Sequence, residues 1–541
     1  MHGAGDHPET HGGAQRLQDK PLCHAAPHIG ELEDVIARRQ VPAMSEEGNA
    51  ATAVPNARRL GQSAFYLGAA NAFEYAMQFL LPVVLVRCLD TAAFGQYRLL
   101  WLAVGTVMSV ATLAMPGCLY YFLPRSDAPA KRLYINQTLL FLAVAGLIAG
   151  WAVSPWNPWL PGKMHGFTDH ALVVPAFVLL WVIASLLDLL PTIEERIAWQ
   201  ARATVGLATL RAVALSITAV LTRELGPVLL VLLAFAAFKL TLLMGYVAKH
   251  HGLRGPMLRW RAFSEQVRYA APFGVSGSLY GWREQADQWV AAALFPMGMF
   301  GSFSIAAILA PLVNLFRQSV NNPFLPSMSR LQAAGDIAGM LELNNRANVM
   351  VGALVYPLLA FVFAFTGEIV TTIYTAAFVE AVPVMRVYIV GLAALVIELA
   401  TVTLLLRQGG FMMRLNLLVL PLSVALSWYA AHRFGFAGAA AGSVAVVYID
   451  RIVTLRRIAL CTGIAFQRLQ DWRTLGLLLL FAALAAVLAW GVVDRYFAAS
   501  APFVRLIVGG LLLGVAYASM AAWLGMRRGW LPAARDPELG L

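Results

Sequence analysis

The chain has 541 residues, of which 59% are hydrophobic and only 13% are charged, and its mean hydropathy is +0.67. A soluble domain carries about 25% charged residues, so the composition excludes a soluble protein and predicts a polytopic membrane protein. The formal net charge of +11 does not indicate nucleic-acid binding, because most of the positive residues fall between apolar segments, where they set membrane topology.

Residues 1–56 differ in kind from the rest of the chain, because they are polar and contain no stretch that resembles a signal peptide or a membrane span. We expect a disordered cytoplasmic tail. Metal binding by its histidines is the alternative, and Met44 is a second candidate start codon. The histidines are His2, His7, His11, His24 and His28.

Fourteen apolar segments follow the tail, separated by charged residues or by Pro and Gly. A helix crosses a bilayer with roughly 20 residues, and these runs are too long and too uniformly apolar to be barrel strands. The predicted fold is therefore all-α. The predicted spans are residues 61–86, 99–123, 134–153, 171–192, 203–221, 227–247, 269–294, 299–322, 347–365, 382–406, 411–431, 436–457, 474–493 and 504–526.

Lys and Arg lie mostly in the loops on one side of this topology. The positive-inside rule makes that side, and both termini, cytoplasmic. We therefore expect a multi-pass membrane protein. Loops on both sides are short, so the function belongs to the helices. We predict no resident metal or cofactor, since the four cysteines form no C-x-x-C pair and the chain contains no phosphate-binding loop.

A short motif recurs at the outer end of two predicted hairpins. Phe94-Gly95-Gln96-Tyr97 follows the first span, and Phe300-Gly301-Ser302-Phe303 follows the seventh, at an offset of 206 residues. Six spans separate the two motifs, so both halves enter the membrane from the same side. Parallel repeats of this kind are related by an axis along the membrane normal, with a binding site between them. We predict two six-helix lobes, residues 57–250 and 251–460, around a central cavity, and an appended hairpin at residues 461–541.

A polar stripe supports the repeat. Asn71, Glu74, Tyr75 and Gln78 have the spacing of one helical face. The same offset relates Glu74 to Tyr280 and Gln78 to Glu284, so the polar face recurs on the seventh span. The alternative is that such residues only hold helices together in the membrane.

The region around the first motif resembles the Wzx-type oligosaccharide flippases of the multidrug/oligosaccharidyl-lipid/polysaccharide exporter superfamily. Val84-Leu85-Val86-Arg87-Cys88-Leu89 followed by Phe94-Gly95-Gln96-Tyr97 is similar to the family's first hairpin, and residues 323–336 look like its proline-containing exit from the eighth span. The resemblance implies translocation of a polyprenyl-pyrophosphate-linked oligosaccharide, for surface polysaccharide or exopolysaccharide, through a cavity between two lobes. The resemblance also implies a bacterial inner membrane as the location. Lipopolysaccharide synthesis would be one such pathway, with a polymerase or export machinery as partners.

Such a cargo would require cations in the membrane, because the planar guanidinium of Arg matches phosphate oxygens and keeps its charge when desolvated. Arg283 and Arg317 are the leading candidates, since both belong to the first hairpin of the second half. The complete set of predicted cavity residues is Arg283, Arg317, Arg211, Arg98, Lys239, Asn71, Gln78 and Tyr280.

Four carboxylates within the spans are candidates for coupling transport to a proton or sodium gradient: Glu74, Glu284, Asp287 and Glu398. We expect Asp287 to be held ionised by Arg283, one helical turn away. A structural alternative is that these two residues merely neutralise each other. Glu74 has no cation one turn away and is the favoured proton carrier.

Three other functions are alternatives for this sequence. A drug/cation antiporter of the same superfamily would need a cavity rich in carboxylates, whereas this chain places several arginines in its spans. A flippase for the peptidoglycan precursor has the same chemistry. A membrane glycosyltransferase or polysaccharide polymerase would need a large outer loop, and the sequence predicts none, so we expect no enzymatic activity.

Overall fold

The computed structural model describes residues 57–158, 170–252 and 255–527, and it is all-helical. The predicted tail, residues 1–56, lies outside the described residues. In chain order the helices are α1 (Ala57–Cys88), α2 (Thr91–Ala111), α3 (Met115–Phe122), α4 (Ala128–Ala152), α5 (Val173–Ala184), α6 (Leu190–Ile193), α7 (Ile197–Thr222), α8 (Leu225–His250), α9 (Trp260–Leu294), α10 (Met297–Ala306), α11 (Leu309–Ala333), α12 (Ile337–Ala364), α13 (Thr366–Ile369), α14 (Ala381–Ala394), α15 (Ala400–Leu405), α16 (Gly409–Phe434), α17 (Phe436–Thr462), α18 (Trp472–Tyr496) and α19 (Pro502–Arg527).

Ten of the described helices are long and apolar enough to cross a membrane, and the bent pair α2–α3 makes an eleventh candidate. The protein is therefore an all-helical polytopic membrane protein. Each of the fourteen predicted segments coincides with one or two helices, but α9 and α11 carry charged residues and α10 and α14 are short. The count of fourteen spans is not confirmed and stays a prediction.

The break between α2 and α3 shapes the packing of the second predicted span. Leu113 and Ala114 adopt the left-handed backbone conformation, with φ of 41° and 56°, and the two helices meet at a bend of 43°. Gly274 of α9 packs on this break, where an added Cβ would lie 2.6 Å from the Leu113 carbonyl. Glycine therefore allows α9 to approach the exposed backbone of the broken span.

The helices pack mostly with others of the same predicted half. In the first half α1 packs along α7, and α5 packs between α4 and α8. In the second half α9 packs along α16, and α14 packs along α17. The hairpin formed by α18 and α19 packs on α12. The division into two repeated lobes, with its boundaries, stays a prediction.

The two repeated motifs contact each other directly. Gly95 of α2 lies so close to α10 that an added Cβ would be 2.0 Å from the Met297 carbonyl oxygen, and Gly301 faces the Gly95 Cα. Arg98 donates hydrogen bonds to the side chain and the carbonyl oxygen of Ser304, its counterpart at the repeat offset. We call this end of the bundle the motif end, because residues at equivalent positions of the two halves meet there.

Candidate functional site

The first half contains a polar cavity of about 350 Å³, here called the first cavity. It combines charged side chains with a wall of aromatic rings, and it includes five of the predicted site residues. Its lining comprises Glu74, Gln78, Leu81, Pro82, Tyr97, Arg98, Trp101, Trp181, Asp188, Thr204, Leu207, Ala208, Arg211, Phe235 and Lys239.

Two cations of the first cavity already have polar partners. Lys239 is buried, and its ammonium group lies 2.8 Å from a carboxylate oxygen of Asp188 and 4.9 Å from the centre of the Trp181 ring. Arg98 is held at the motif end by Ser304. Lys239 and Asp188 therefore neutralise each other and leave little net charge for a ligand.

Arg211 differs from these two. Its side chain is 9% exposed and projects from α7. Its guanidinium lies 5.8 Å from the centre of the Trp101 ring. Within the described residues it forms no ion pair and no hydrogen bond. A desolvated guanidinium with free donors favours an anionic oxygen, so Arg211 is the cation of this cavity that is available to a ligand.

The polar stripe of α1 reaches the first cavity only in part. Glu74 and Gln78 line it, and the Gln78 amide donates to the Glu74 carboxylate at 3.2 Å. Asn71 is exposed and does not belong to the described lining. The structure therefore brings together Glu74, Gln78 and the three cations of the first cavity, Arg98, Arg211 and Lys239.

Arg283 lies in a second polar cluster, and the expectation that it holds Asp287 is wrong. Arg283 forms an ion pair with Asp450 of α17 at 3.0 Å and a longer one with Glu284 at 3.6 Å. It also donates to Asn416 of α16, and its guanidinium lies 5.2 Å from the Tyr280 ring centre. The main acidic partner of Arg283 is therefore Asp450 on another helix, and not Asp287 on its own helix.

Asp287 instead accepts three hydrogen bonds from neutral groups. The donors are the Tyr388 hydroxyl at 2.7 Å, the Ser443 hydroxyl at 2.6 Å and the backbone NH of Gln288 at 2.8 Å. The residue is 4% exposed and borders a cavity of about 120 Å³ together with Arg283 and Glu284. Among the described residues no cation lies within ion-pair distance of this carboxylate.

Arg317 and Glu398, predicted for different roles, form one ion pair at 3.1 Å. The Glu398 carboxylate also accepts from the NH of Ala400, and the Asn348 side chain accepts from the NH of Glu398. Neither residue lines the first cavity in the part of the chain that the structure describes. The predicted site residues therefore form separate clusters rather than one.

Sequence reasoning missed the partners of the charged residues. Asp450 was not among the predicted site residues, and it lies close to the middle of α17, which continues to Thr462. Tyr388 and Ser443 carried no signal, because a single hydroxyl in an apolar span is common. Trp101 and Trp181 gave only a weak signal for a binding site, because aromatic residues within spans usually pack against other helices or lie at the membrane interface.

The model of a family described as polysaccharide biosynthesis protein (Polysacc_synt_3) matches residues 84–383, more than half of the chain. The chain belongs to this polysaccharide biosynthesis protein family. The match includes both repeated motifs, Arg211, Arg283 and Asp287. No curated protein matches the chain.

Solved structures support the architecture. The chain is similar to an inward-facing multidrug resistance MATE family transporter of the MOP superfamily, with a TM-score of 0.52 and 10% identity over 72% of this chain and 96% of that one. It is also similar to the MATE multidrug transporter DinF-BH, with a TM-score of 0.49 and 13% identity over 79% of this chain and 97% of that one. The chain is similar as well to a MOP superfamily transporter from Pyrococcus furiosus, with a TM-score of 0.48 and 11% identity over 74% of this chain and 96% of that one. The first of these structures shows that the fold is MATE-like.

Proposed function

We propose that this transporter moves a polyprenyl-pyrophosphate-linked oligosaccharide across the cytoplasmic membrane of a bacterium, for surface polysaccharide or exopolysaccharide synthesis. The observation that carries the proposal is the first cavity, where Arg211 is buried beside aromatic rings and has no acidic partner in the part of the chain that the structure describes. Its guanidinium would bind pyrophosphate oxygens in a bidentate manner. Trp101 and Trp181 offer flat apolar faces to sugar rings.

The charge balance of the cavity favours an anionic cargo over a cationic drug. Asp188 is neutralised by Lys239, and Glu74 is the remaining carboxylate of the lining. Arg98 and Arg211 therefore leave the described cavity with an excess of positive charge. A cationic drug would be repelled by this pair, whereas a pyrophosphate would compensate it.

Transport would proceed by alternating opening of the two ends of the bundle. At the motif end, the paired glycines and the Arg98–Ser304 hydrogen bonds close the space between α2 and α10. Arg87 adds a hydrogen bond to the Thr372 carbonyl oxygen of the second half. We infer that the cargo enters from the opposite, Arg-rich end, which the positive-inside rule makes cytoplasmic, and leaves when the motif end opens.

Ion coupling would rest on the carboxylates. Asp287 is buried, borders a cavity and has no cation partner among the described residues. Such a group can exchange a proton or bind a sodium ion. Glu74 is the corresponding candidate in the first cavity, and Glu398 is the weaker one because Arg317 already compensates it.

The experiment is translocation of a polyprenyl-pyrophosphate-linked oligosaccharide in proteoliposomes, followed as loss of accessibility to an added impermeant glycosidase. Arg211→Ala should lower the rate roughly tenfold or more, because a charge-assisted bidentate contact is lost. Arg211→Lys should retain part of the translocation rate, because the Lys ammonium group still attracts phosphate but cannot form the bidentate contact of a guanidinium. Arg202→Ala is the matched control, an exposed arginine of the same helix.

Three results bear on the alternatives. Wild-type transport by Arg211→Ala would contradict the assignment of this cavity. Transport of a cationic dye with no transport of the oligosaccharide would instead identify a drug/cation antiporter. Equal transport of the peptidoglycan precursor would widen the cargo class without changing the site.

A further inference from the structure

A second large cavity lies between helices of the second half and the C-terminal hairpin, and it shares no lining residue with the first cavity or with the cavity that Asp287 borders. It has a volume of about 490 Å³ and lies between α12, α14, α17 and α18. Its walls are apolar or aromatic apart from one charged residue, and they include Leu359, Phe363, Tyr448, Leu479 and Trp490. We call it the side groove.

The charged residue of the side groove is Arg386 of α14. It is exposed, and its guanidinium lies 5.6 Å from the centre of the Phe363 ring. Within the described residues it has no carboxylate partner and forms no hydrogen bond. A charged side chain on the lipid-facing surface of a span is rare, because solvation by hydrocarbon is poor. The described residues therefore leave the charge of Arg386 without a counterion.

The depth of the side groove matches a lipid standing in one leaflet. At 1.5 Å per residue, Arg386 lies about 8 Å inside the start of α14, and Trp490 about 9 Å inside the end of α18, both at the motif end. Tyr448 lies about 18 Å along α17 from the same end. The groove therefore runs from headgroup depth, where Arg and Trp anchor at interfaces, toward the middle of the membrane.

We propose that the side groove binds one anionic phospholipid of the leaflet at the motif end, with its phosphate on Arg386 and an acyl chain along the apolar wall. The arginine provides the compensating charge, and the groove provides contact area that a flat helix surface lacks. This site is separate from the first cavity, and the inference does not depend on the identity of the transported cargo.

The test is native mass spectrometry of the full chain in detergent, titrated with phosphatidylglycerol and, separately, with phosphatidylcholine. The wild type should retain one more tightly bound phosphatidylglycerol than Arg386→Ala, whose apparent affinity for that molecule should fall roughly tenfold. Ala483→Trp, which fills the groove from α18 without changing charge, should lose the same molecule. Arg495→Ala is the matched control, an exposed arginine near the end of α18 outside the groove.

Each outcome of these titrations either supports or contradicts the proposed lipid site. Loss of one phosphatidylglycerol in both groove variants, with none lost in Arg495→Ala, supports the site. Equal retention in wild type, Arg386→Ala and Ala483→Trp overturns it. Equal retention of phosphatidylcholine and phosphatidylglycerol by the wild type overturns the anionic assignment, and preferential retention of added polyprenyl phosphate overturns the choice of a phospholipid. If Arg386→Ala is unstable, Ala483→Trp and Arg386→Lys keep the test available, because Lys should preserve most of the binding.

Discussion

Arg283 and Asp450 form a buried ion pair that joins α9 to α17 in the middle of the second half. Their side chains are 12% and 8% exposed. Removing one member of such a pair leaves an uncompensated buried charge, which typically costs about 3–5 kcal/mol. Removing both costs much less, because no charge then remains to be solvated.

We therefore expect Arg283→Ala to lower the amount of folded protein in the membrane, and Arg283→Ala with Asp450→Ala to restore most of it. The measurement is protein abundance by fluorescence-detected size exclusion. The matched control is Arg283→Ala with Asp287→Ala, which should not recover, since Asp450 stays unpaired. Recovery in the control instead of the first double variant would mean that Arg283 compensates Asp287. Translocation in the recovered variant then tests whether Arg283 has a separate role in binding cargo.

Asp287 gives a prediction about energy coupling. Asp287→Asn cannot gain or lose a proton, although it can keep some of its contacts with Tyr388 and Ser443. We expect transport driven by a proton or sodium gradient to fall to the level seen without a gradient, while gradient-independent exchange continues. Ser443→Ala keeps the carboxylate and should retain coupling. Undiminished gradient-driven accumulation by Asp287→Asn would assign coupling to another residue, with Glu74 the next candidate.

The charged residues of the spans were predictable from sequence, but their partners were not. A charge in an apolar span is costly, so it marks a partner or a function wherever it occurs, and Arg211, Arg283 and Asp287 were found in this way. Spacing along one helix suggested that Arg283 pairs with Asp287. The actual partner, Asp450, comes from a helix 167 positions away, and only the packing of α9 against α17 determines it.

At the scale of elements, the repeated motif explains how α2 and α10 meet. Both helices begin immediately after a hairpin turn, and each places its glycine against the other. The sequence predicted the recurrence because the offset is constant, and it predicted that both copies lie at one end. It did not predict that they touch, since a repeat alone does not say whether its copies face each other or the lipid.

Gly95→Ala tests this contact. The added Cβ would meet the Met297 backbone at 2.0 Å, and backbone cannot move aside as a side chain can. Overpacking costs typically 1–3 kcal/mol, so the closed motif end should lose population roughly tenfold relative to the open one. Labelling of Ser304→Cys by an impermeant maleimide should rise accordingly. Gly206→Ala, where an added Cβ meets nothing within 4 Å, should leave labelling unchanged, and equal labelling in both variants would mean that the contact does not gate this end.

At the scale of the whole molecule, the two predicted halves are joined at the motif end by contacts that the proposed rocking motion would have to break. Arg87 of α1 donates to the Thr372 carbonyl oxygen at 2.7 Å, and the rings of Phe94 and Phe378 meet edge to face nearby. By contrast, Arg505 of α19 and Glu368 of α13 form an ion pair at 2.9 Å on the side of the second half alone. Rocking of one half against the other would separate Arg87 from Thr372 and leave the Arg505–Glu368 ion pair intact.

A reversible cross-link distinguishes these two pairs. In a chain without its native cysteines, Arg87→Cys with Thr372→Cys, joined by a reducible linker, should hold the motif end closed and reduce translocation to the background of empty liposomes. Reduction of the linker should restore it. Glu368→Cys with Arg505→Cys, joined by the same linker, should transport at the rate of its own unlinked form, because these residues move together. Full transport by the linked Arg87–Thr372 pair would mean that the motif end stays closed during turnover, and the cargo would then need a path other than the one between α2 and α10.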